Sequence, residues 1–392
     1  MADRTGNIDP CGESRGIGGI VGPFLRLGLT AFGGPAAHLV LMHREFVEHR
    51  KWITREQFLD LVGACNLLPG PGSTQVAMAL GYTRAGWMGL MVAGVCFILP
   101  ASLATLALAW AYVHYGSLQQ VQGLLYGAKP VMIAVIVQAV WNLGRTAFRH
   151  WPFALAGMGC FAAVLAGVAP LAVLLVCGGV ALLAAWLRTR QKHLLGLAAW
   201  PGLFSLENVP AAGGVAVAAG LLQVFWVFLK LGVVVFGSGY VLLVYLKADL
   251  VDHLHWITEQ QLLDAITAGQ ITPGPVFATA TFLGYLLHGW QGAAIATVGI
   301  FLPSFFMAGA VGALARRIRK STLAAAFLDG VNAAAVALMA SVAIVLGRAT
   351  LVDGWTWALA LVCAALLLRF RVNATWLILG GACAGILIRL FA

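Results

Sequence analysis

The sequence predicts an all-α polytopic membrane protein made of two inverted-topology repeats, each with about five crossings and a Pro-Gly-Pro broken helical hairpin. Three observations carry this: long apolar runs, an internal match at an offset of 204 residues, and opposite Lys/Arg bias in equivalent loops. Of the 392 residues, 61% are hydrophobic and 10% charged, against about 25% charged in a soluble domain. Runs such as Trp87–Tyr112, Phe153–Leu187, Gly292–Leu314 and Leu323–Leu346 reach the roughly 18 residues that cross about 30 Å of hydrocarbon. They are apolar on all sides, which excludes the period-two alternation of a membrane β-barrel. The net charge of +10 does not point to nucleic acid, because the Lys and Arg residues fall mostly in short loops, where they orient spans in the bilayer. Seven cysteines without C-x-x-C spacing argue against a disulfide framework or a metal cluster and for small buried apolar residues.

Residues 1–19 lack the basic-then-apolar order of a cleavable signal and read as a short retained tail. The first repeat covers 20–190, a cytoplasmic linker 191–215 and the second repeat 216–392. The duplication is explicit: FLRLGLTAFGG (Phe24–Gly34) lies over FLKLGVVVFGS (Phe228–Ser238), and WITREQFLD (Trp52–Asp60) over WITEQQLLD (Trp256–Asp264). Without a gap, 20 of the 48 positions from Phe24 to Pro71 are identical, and after a one-residue deletion the match continues through LGY, GW, LP and LGR.

In the first repeat the crossings are expected at 20–42, 87–113, 121–144, 151–168 and 170–187. Between the first two lies LLPGPGSTQ (Leu67–Gln75), repeated as ITPGPVFAT (Ile271–Thr279). Proline lacks an N–H and clashes with the preceding turn, so each Pro-Gly-Pro ends one helix and begins another. A helix from Thr54, with Thr54 as its cap, and a second from Pro71 or Gly72 to about Thr83 are each near 13 residues, or about 20 Å. The pair reads as a re-entrant hairpin. Loop charges supply the orientation: Arg44–Arg55 carries four Lys/Arg where Lys247–His255 carries one, whereas Tyr115–Gln120 is uncharged where Arg316–Lys320 carries four. The positive-inside rule then puts equivalent loops on opposite sides, so the repeats are inverted.

Irregular backbone at membrane depth persists only where protein buries it or a wet cavity meets it, and the free N–H groups of a helix start form an anion site. The candidate oxyanion-binding residues are therefore Asn66, Pro69, Gly70, Pro71, Gly72, Ser73, Thr74 and Gln75, with Gln270, Pro273, Gly274 and Pro275 in the second copy. Thr279 is a further candidate side-chain donor. The alternative is a tight corner without a ligand. Small-residue breaks at Gly33–Gly34 and Gly237–Ser238, and the matched intramembrane cations Arg26 and Lys230, extend the candidate site. Arg26 could instead snorkel to the interface. Lys129 is a third candidate cation. Asp60, Asp264 and Asp329 are the acidic candidates for proton coupling, with Asp329 a potential partner of Lys129 and a structural salt bridge the alternative role for the matched pair. Glu45, Glu48, Asp249 and Asp252 sit near loops and read as solvated. No cofactor or metal site is expected. His253 and His255, two apart, do not share a helix face.

FGGPAAH (Phe32–His38), the two WIT motifs, NLLPGPGSTQ (Asn66–Gln75), Gly81–Tyr82 and Phe301–Pro303, in two halves of about 190 residues, resemble the chromate ion transporter superfamily in its long, two-domain form. The resemblance implies a multi-pass bacterial inner-membrane protein that exports chromate and confers chromate resistance. It also implies coupling to the proton motive force and competition by sulfate, an isosteric dianion. The second half departs from the motif at Gly239, Tyr240, Leu242 and Val276-Phe277, so the first half is expected to contribute more to the anion site. A sulfate importer and an anion channel are the alternatives within transport. No H-E-x-x-H motif supports an enzyme. The lipid bilayer is the implied environment, and a homodimer is left open.

Overall fold

The computed structural model describes residues 18–66, 68–148, 151–166, 168–190, 220–236, 239–318, 322–370 and 372–391. Among the described residues the secondary structure is helical throughout, and five helices are long and apolar enough to cross a membrane. The tail before residue 18, most of the linker, Gly237 and Ser238, and the end of the Arg316–Lys320 cluster lie outside them.

The expected 20–42 crossing is not one helix. It is α1 (Gly18–Thr30) followed by α2 (Gly34–His43). Gly33 and Gly34 have φ of 101° and 79°, a left-handed backbone that side chains disfavour, and Pro35 supplies no N–H in the next turn. In the second repeat α8 (Leu221–Val234) likewise stops, and a 3₁₀ turn (Gly239–Val241) leads into a short α9 (Leu242–Leu246). Both α2 and α9 run on into a turn of π-helix, Arg44–His49 and Lys247–His253.

The hairpins form as expected. Thr54 caps α3 (Arg55–Cys65), accepting from the Gln57 N–H at 3.2 Å while its own N–H donates to Gln57 Oε1 at 3.0 Å; Thr258 and Gln261 repeat this reciprocal box on α10 (Glu259–Ile271). The second arm opens α4 (Gly72–Tyr115) and α11 (Thr279–Ile318), each sharply folded, at Ala85–Gly86 and at His288–Gly289. A Cβ on Gly81 would lie 2.3 Å from the Gly89 carbonyl oxygen. Eight residues of straight helix would span about 12 Å, so the chain doubles back and the arm ends before the crossing that begins near Trp87.

The remaining helices are α5 (Gln119–Ala147), α6 (Trp151–Leu165), α7 (Pro170–Arg190), α12 (Thr322–Thr350), α13 (Gly354–Phe370) and α14 (Ala374–Phe391). They interlock across the repeats: α5 packs on α13 and α14, and α12 on α6 and α7. The equivalent helices α5 and α12 run antiparallel. Val336 lies 3.6 Å from where a Cβ on Gly144 would sit, and Ile133 lies 3.8 Å from the same point on Gly347. These two contacts exchange under the 203-residue offset, as a two-fold axis perpendicular to the helices requires. An axis along the membrane normal would make them parallel.

Candidate functional site

The two Pro-Gly-Pro corners meet the two first-helix breaks at the centre of this two-fold. The Gly70 N–H donates to the Val235 carbonyl at 2.6 Å, and the Gly274 N–H donates to the Ala31 carbonyl at 2.9 Å. Each corner therefore docks on the break of the opposite repeat. Both glycines need the left-handed region, with φ of 110° and 97°, which is why Gly separates the two prolines. A small cavity of about 50 Å³ opens beside them, lined by Pro35, Leu39, Asn66, Pro71, Gly72 and Ser73 from the first half and by Gly239, Pro275, Val276 and Phe277 from the second. A water needs about 10–15 Å³ by this measure, so the space holds a few waters or a small tetrahedral oxyanion.

The first half supplies the polar wall. The first intrahelical bond of α4 runs from the Gln75 N–H to the Pro71 carbonyl, leaving the N–H groups of Gly72, Ser73 and Thr74 ahead of it at the positive end of the helix dipole. Gln75 does not reach out as a donor. Its Nε2 donates to the Pro69 carbonyl and braces its own corner. Thr74 is fully buried, with a hydroxyl that lacks a hydrogen-bond partner. In the second half the corner leads into a 3₁₀ turn, Val276–Ala278, rather than directly into an α-helix. Thr279, expected to offer a donor, spends its hydroxyl on the Val276 carbonyl at 2.8 Å, because at the start of α11 that carbonyl is its nearest acceptor. Gln270 shares a hydrogen bond with the Tyr240 hydroxyl, which also stands against Gly34. Pro273 and Gly274 shape the second corner.

The matched cations lie elsewhere. Arg26 is exposed on α1, and Lys230 is 52% exposed and bound to Asp249 at 2.9 Å; neither lines the cavity. Of the acidic residues read as solvated, Glu48 and Asp252 are exposed and also paired, with His43 at 3.2 Å and Lys247 at 2.7 Å, whereas Glu45, on Arg50 at 2.7 Å, and Asp249 are partly buried. The π-helical turns fold these short segments back on themselves and bring the opposite charges together.

Of the three aspartates, Asp264 is buried, whereas Asp60 and Asp329 are exposed. Lys129 pairs with Asp264 at 3.0 Å rather than with Asp329, and the Tyr112 hydroxyl donates to the same carboxylate at 3.0 Å. The reason is placement: α10 packs against α4 and α5 of the first repeat. Two residues in contact with the site carry a signal that composition alone did not isolate. His38, a histidine within an apolar segment, is fully buried, and Tyr240 replaces the small Ala36 of the first repeat.

Comparison with known proteins gives this geometry a family. The chromate transporter family matches residues 19–183 and 222–386, one match per repeat. The chain is similar to a chromate transport protein of Cupriavidus metallidurans, 35% identical over 92% of this chain and 90% of that one. It is also similar to a probable chromate transport protein of Synechococcus elongatus, 31% identical over 86% of each, and to a chromate transport protein of Pseudomonas aeruginosa, 32% identical over 83% and 80%. No solved structure matches. With both repeats matched and relatives above 30% identity aligned over most of their length, the chain belongs to the chromate transporter family.

Proposed function

We propose that this protein exports the chromate dianion across a bacterial inner membrane and so confers chromate resistance, with sulfate as a competing ligand. The observation that carries the reading is the cavity where the Pro71–Ser73 helix start of one repeat faces the Pro275–Phe277 corner of the other. Free N–H groups and a hydroxyl on one wall suit a tetrahedral oxyanion, and apolar Val276 and Phe277 on the other keep water from screening them. Asn66, Gly72, Ser73 and Thr74 are the proposed ligands. Gly33, Gly34, Pro69, Gly70, Gln75, Gln270, Pro273 and Gly274 shape the breaks and corners behind them, and Arg26 and Lys230, which do not line the cavity, are not proposed as ligands.

Energetics favour export. A potential of 100 mV, negative inside, drives an anion outward by about 2.3 kcal/mol per charge, hence about 4.6 kcal/mol for a dianion. If an acidic residue couples protons to this movement, it is Asp264, the buried member of the three. Protonating it would free Lys129 and loosen α10 from α5. The test is chromate uptake into everted membrane vesicles containing the purified-expression strain's protein, with and without an uncoupler and with sulfate as competitor. Uncoupler-sensitive uptake that sulfate slows is expected. Uptake that is indifferent to both, or none above vesicles lacking the protein, would overturn the reading.

A further inference from the structure

His38 sits behind the cavity wall with its hydrogen bonds fully assigned by the chemistry of its partners. Its Nε2 lies 3.1 Å from the Ala31 carbonyl oxygen. A carbonyl only accepts, so Nε2 carries the proton, and in the neutral ring Nδ1 is then a bare acceptor. Nδ1 lies 3.2 Å from Ser73 Oγ, so the Ser73 hydroxyl must donate to it. A hydroxyl has one proton. With that proton committed to His38, Ser73 turns only lone pairs toward the cavity it lines, which repel an anion.

We infer that an oxyanion binds this cavity together with one proton, taken up on Nδ1 of His38. The protonated ring donates from both nitrogens, to the Ala31 carbonyl and to Ser73 Oγ. Ser73 then accepts from behind and its own proton is released to swing toward an anion oxygen. One proton thus converts the wall from acceptor to donor and adds a positive charge one hydrogen bond behind the anion. His38 is a positioning residue, acting through Ser73. The inference rests on the anion reading of the cavity given above and adds its coupled proton. The complex moved is a dianion plus a proton, with net charge −1, so the membrane potential still drives it outward, with half the electrical work.

The surroundings leave His38 as the titrating group at this wall. Besides Ser73 on α4 and the Ala31 carbonyl after α1, its ring meets the edge of Phe97 on α4, centroids 5.5 Å apart. The nearest ionisable groups on its own helix and its continuation are His43 and Glu45, engaged by Glu48 and Arg50, and Arg44, which is exposed. On α4 the first charge after Ser73 is Arg84, which lies over Trp52, and on α1 Arg26 is exposed. The second repeat approaches through the Gly274 N–H, which shares the Ala31 carbonyl with His38, and through the Tyr240 hydroxyl, which stands against Gly34 and shares a hydrogen bond with Gln270; it carries Leu242 at the equivalent of His38. The device belongs to one repeat only.

Calorimetry on the purified full chain tests this with sulfate, which remains a dianion through the range, titrated at one pH in two buffers of different ionisation enthalpy. The wild type should take up close to one proton per sulfate, and its affinity should fall by up to tenfold per pH unit as pH rises from about 6 to 8. His38→Gln, whose amide can still bridge the Ala31 carbonyl and Ser73, should bind with affinity independent of pH and without proton uptake. Ser73→Ala should bind more weakly and lose most of the uptake. Sulfate binding by the wild type without proton uptake, or uptake that survives His38→Gln, overturns the inference while leaving the anion site intact. Failure of the wild type to bind either sulfate or chromate overturns the anion site itself.

Discussion

At the scale of single residues, the Lys129–Asp264–Tyr112 cluster is a costly polar feature of the interior. Lys129 is 17% exposed and Asp264 4%, and desolvating such a pair absorbs much of its attraction. Its worth shows when one partner is removed. Lys129→Met would leave a carboxylate buried without its cation, at a cost of about 3–5 kcal/mol. Asp264→Asn should cost less, because the ammonium is closer to water and snorkels further. The double change Lys129→Met with Asp264→Leu should recover most of the loss, since no buried charge remains. Thermal unfolding of the purified variants in one detergent checks the order, and a double variant no more stable than Lys129→Met would refute it. The pair was not legible in the sequence. Lys129 and Asp264 lie in different repeats, their repeat equivalents are Asn332 and Asp60, and only the interlocking of α10 with α5 brings them together.

At the scale of elements, what the sequence announced were its interruptions. Pro-Gly-Pro, Phe-Gly-Gly and the Thr-x-x-Gln boxes act through local backbone chemistry, so helix ends near residues 31, 66 and 72 were readable or nearly so. The face of an all-apolar helix was not. Arg26 and Lys230 occur at equivalent points of α1 and α8, yet nothing in the surrounding Leu, Gly and Phe residues distinguishes the cavity side from the outside. The π-helical turns left no signature either. The corners make the strongest element-level claim. Ala-Ala-Ala in place of Pro69–Pro71 favours a continuous helix, withdraws the Gly72 and Ser73 N–H groups into intrahelical bonds and removes the Gly70 bond to Val235. Losing two charge-assisted hydrogen bonds at about 1.5–3 kcal/mol each should weaken oxyanion binding by roughly a hundredfold or more. The same change at Pro273–Pro275 should cost less, because that corner opens onto Val276 and Phe277 rather than onto a hydroxyl. Binding of chromate and sulfate to folded variants, followed by calorimetry, decides it; unchanged affinity in both would make the corners purely structural.

At the scale of the whole molecule, the repeats are exchanged rather than merely adjacent. The long helices α5 and α12 are each covered by the last two helices of the opposite repeat, and each corner hydrogen-bonds the opposite break. The antiparallel contact of α5 with α12 ties this packing to membrane orientation: if both cross the bilayer, their equivalent ends must face opposite compartments. Loop charge gives the sign. The Arg44–Arg55 and Arg316–Lys320 loops should be cytoplasmic, and 115–120 and 247–255 periplasmic. Single cysteines at Lys51, Ser117, His253 and Arg316 of a Cys-less variant, in intact cells treated with a membrane-impermeant maleimide, should label only at 117 and 253. Residues 51 and 253 lie in equivalent loops. Labelling of both from one side would mean parallel repeats, and the central two-fold that joins the two corners around one cavity could not stand.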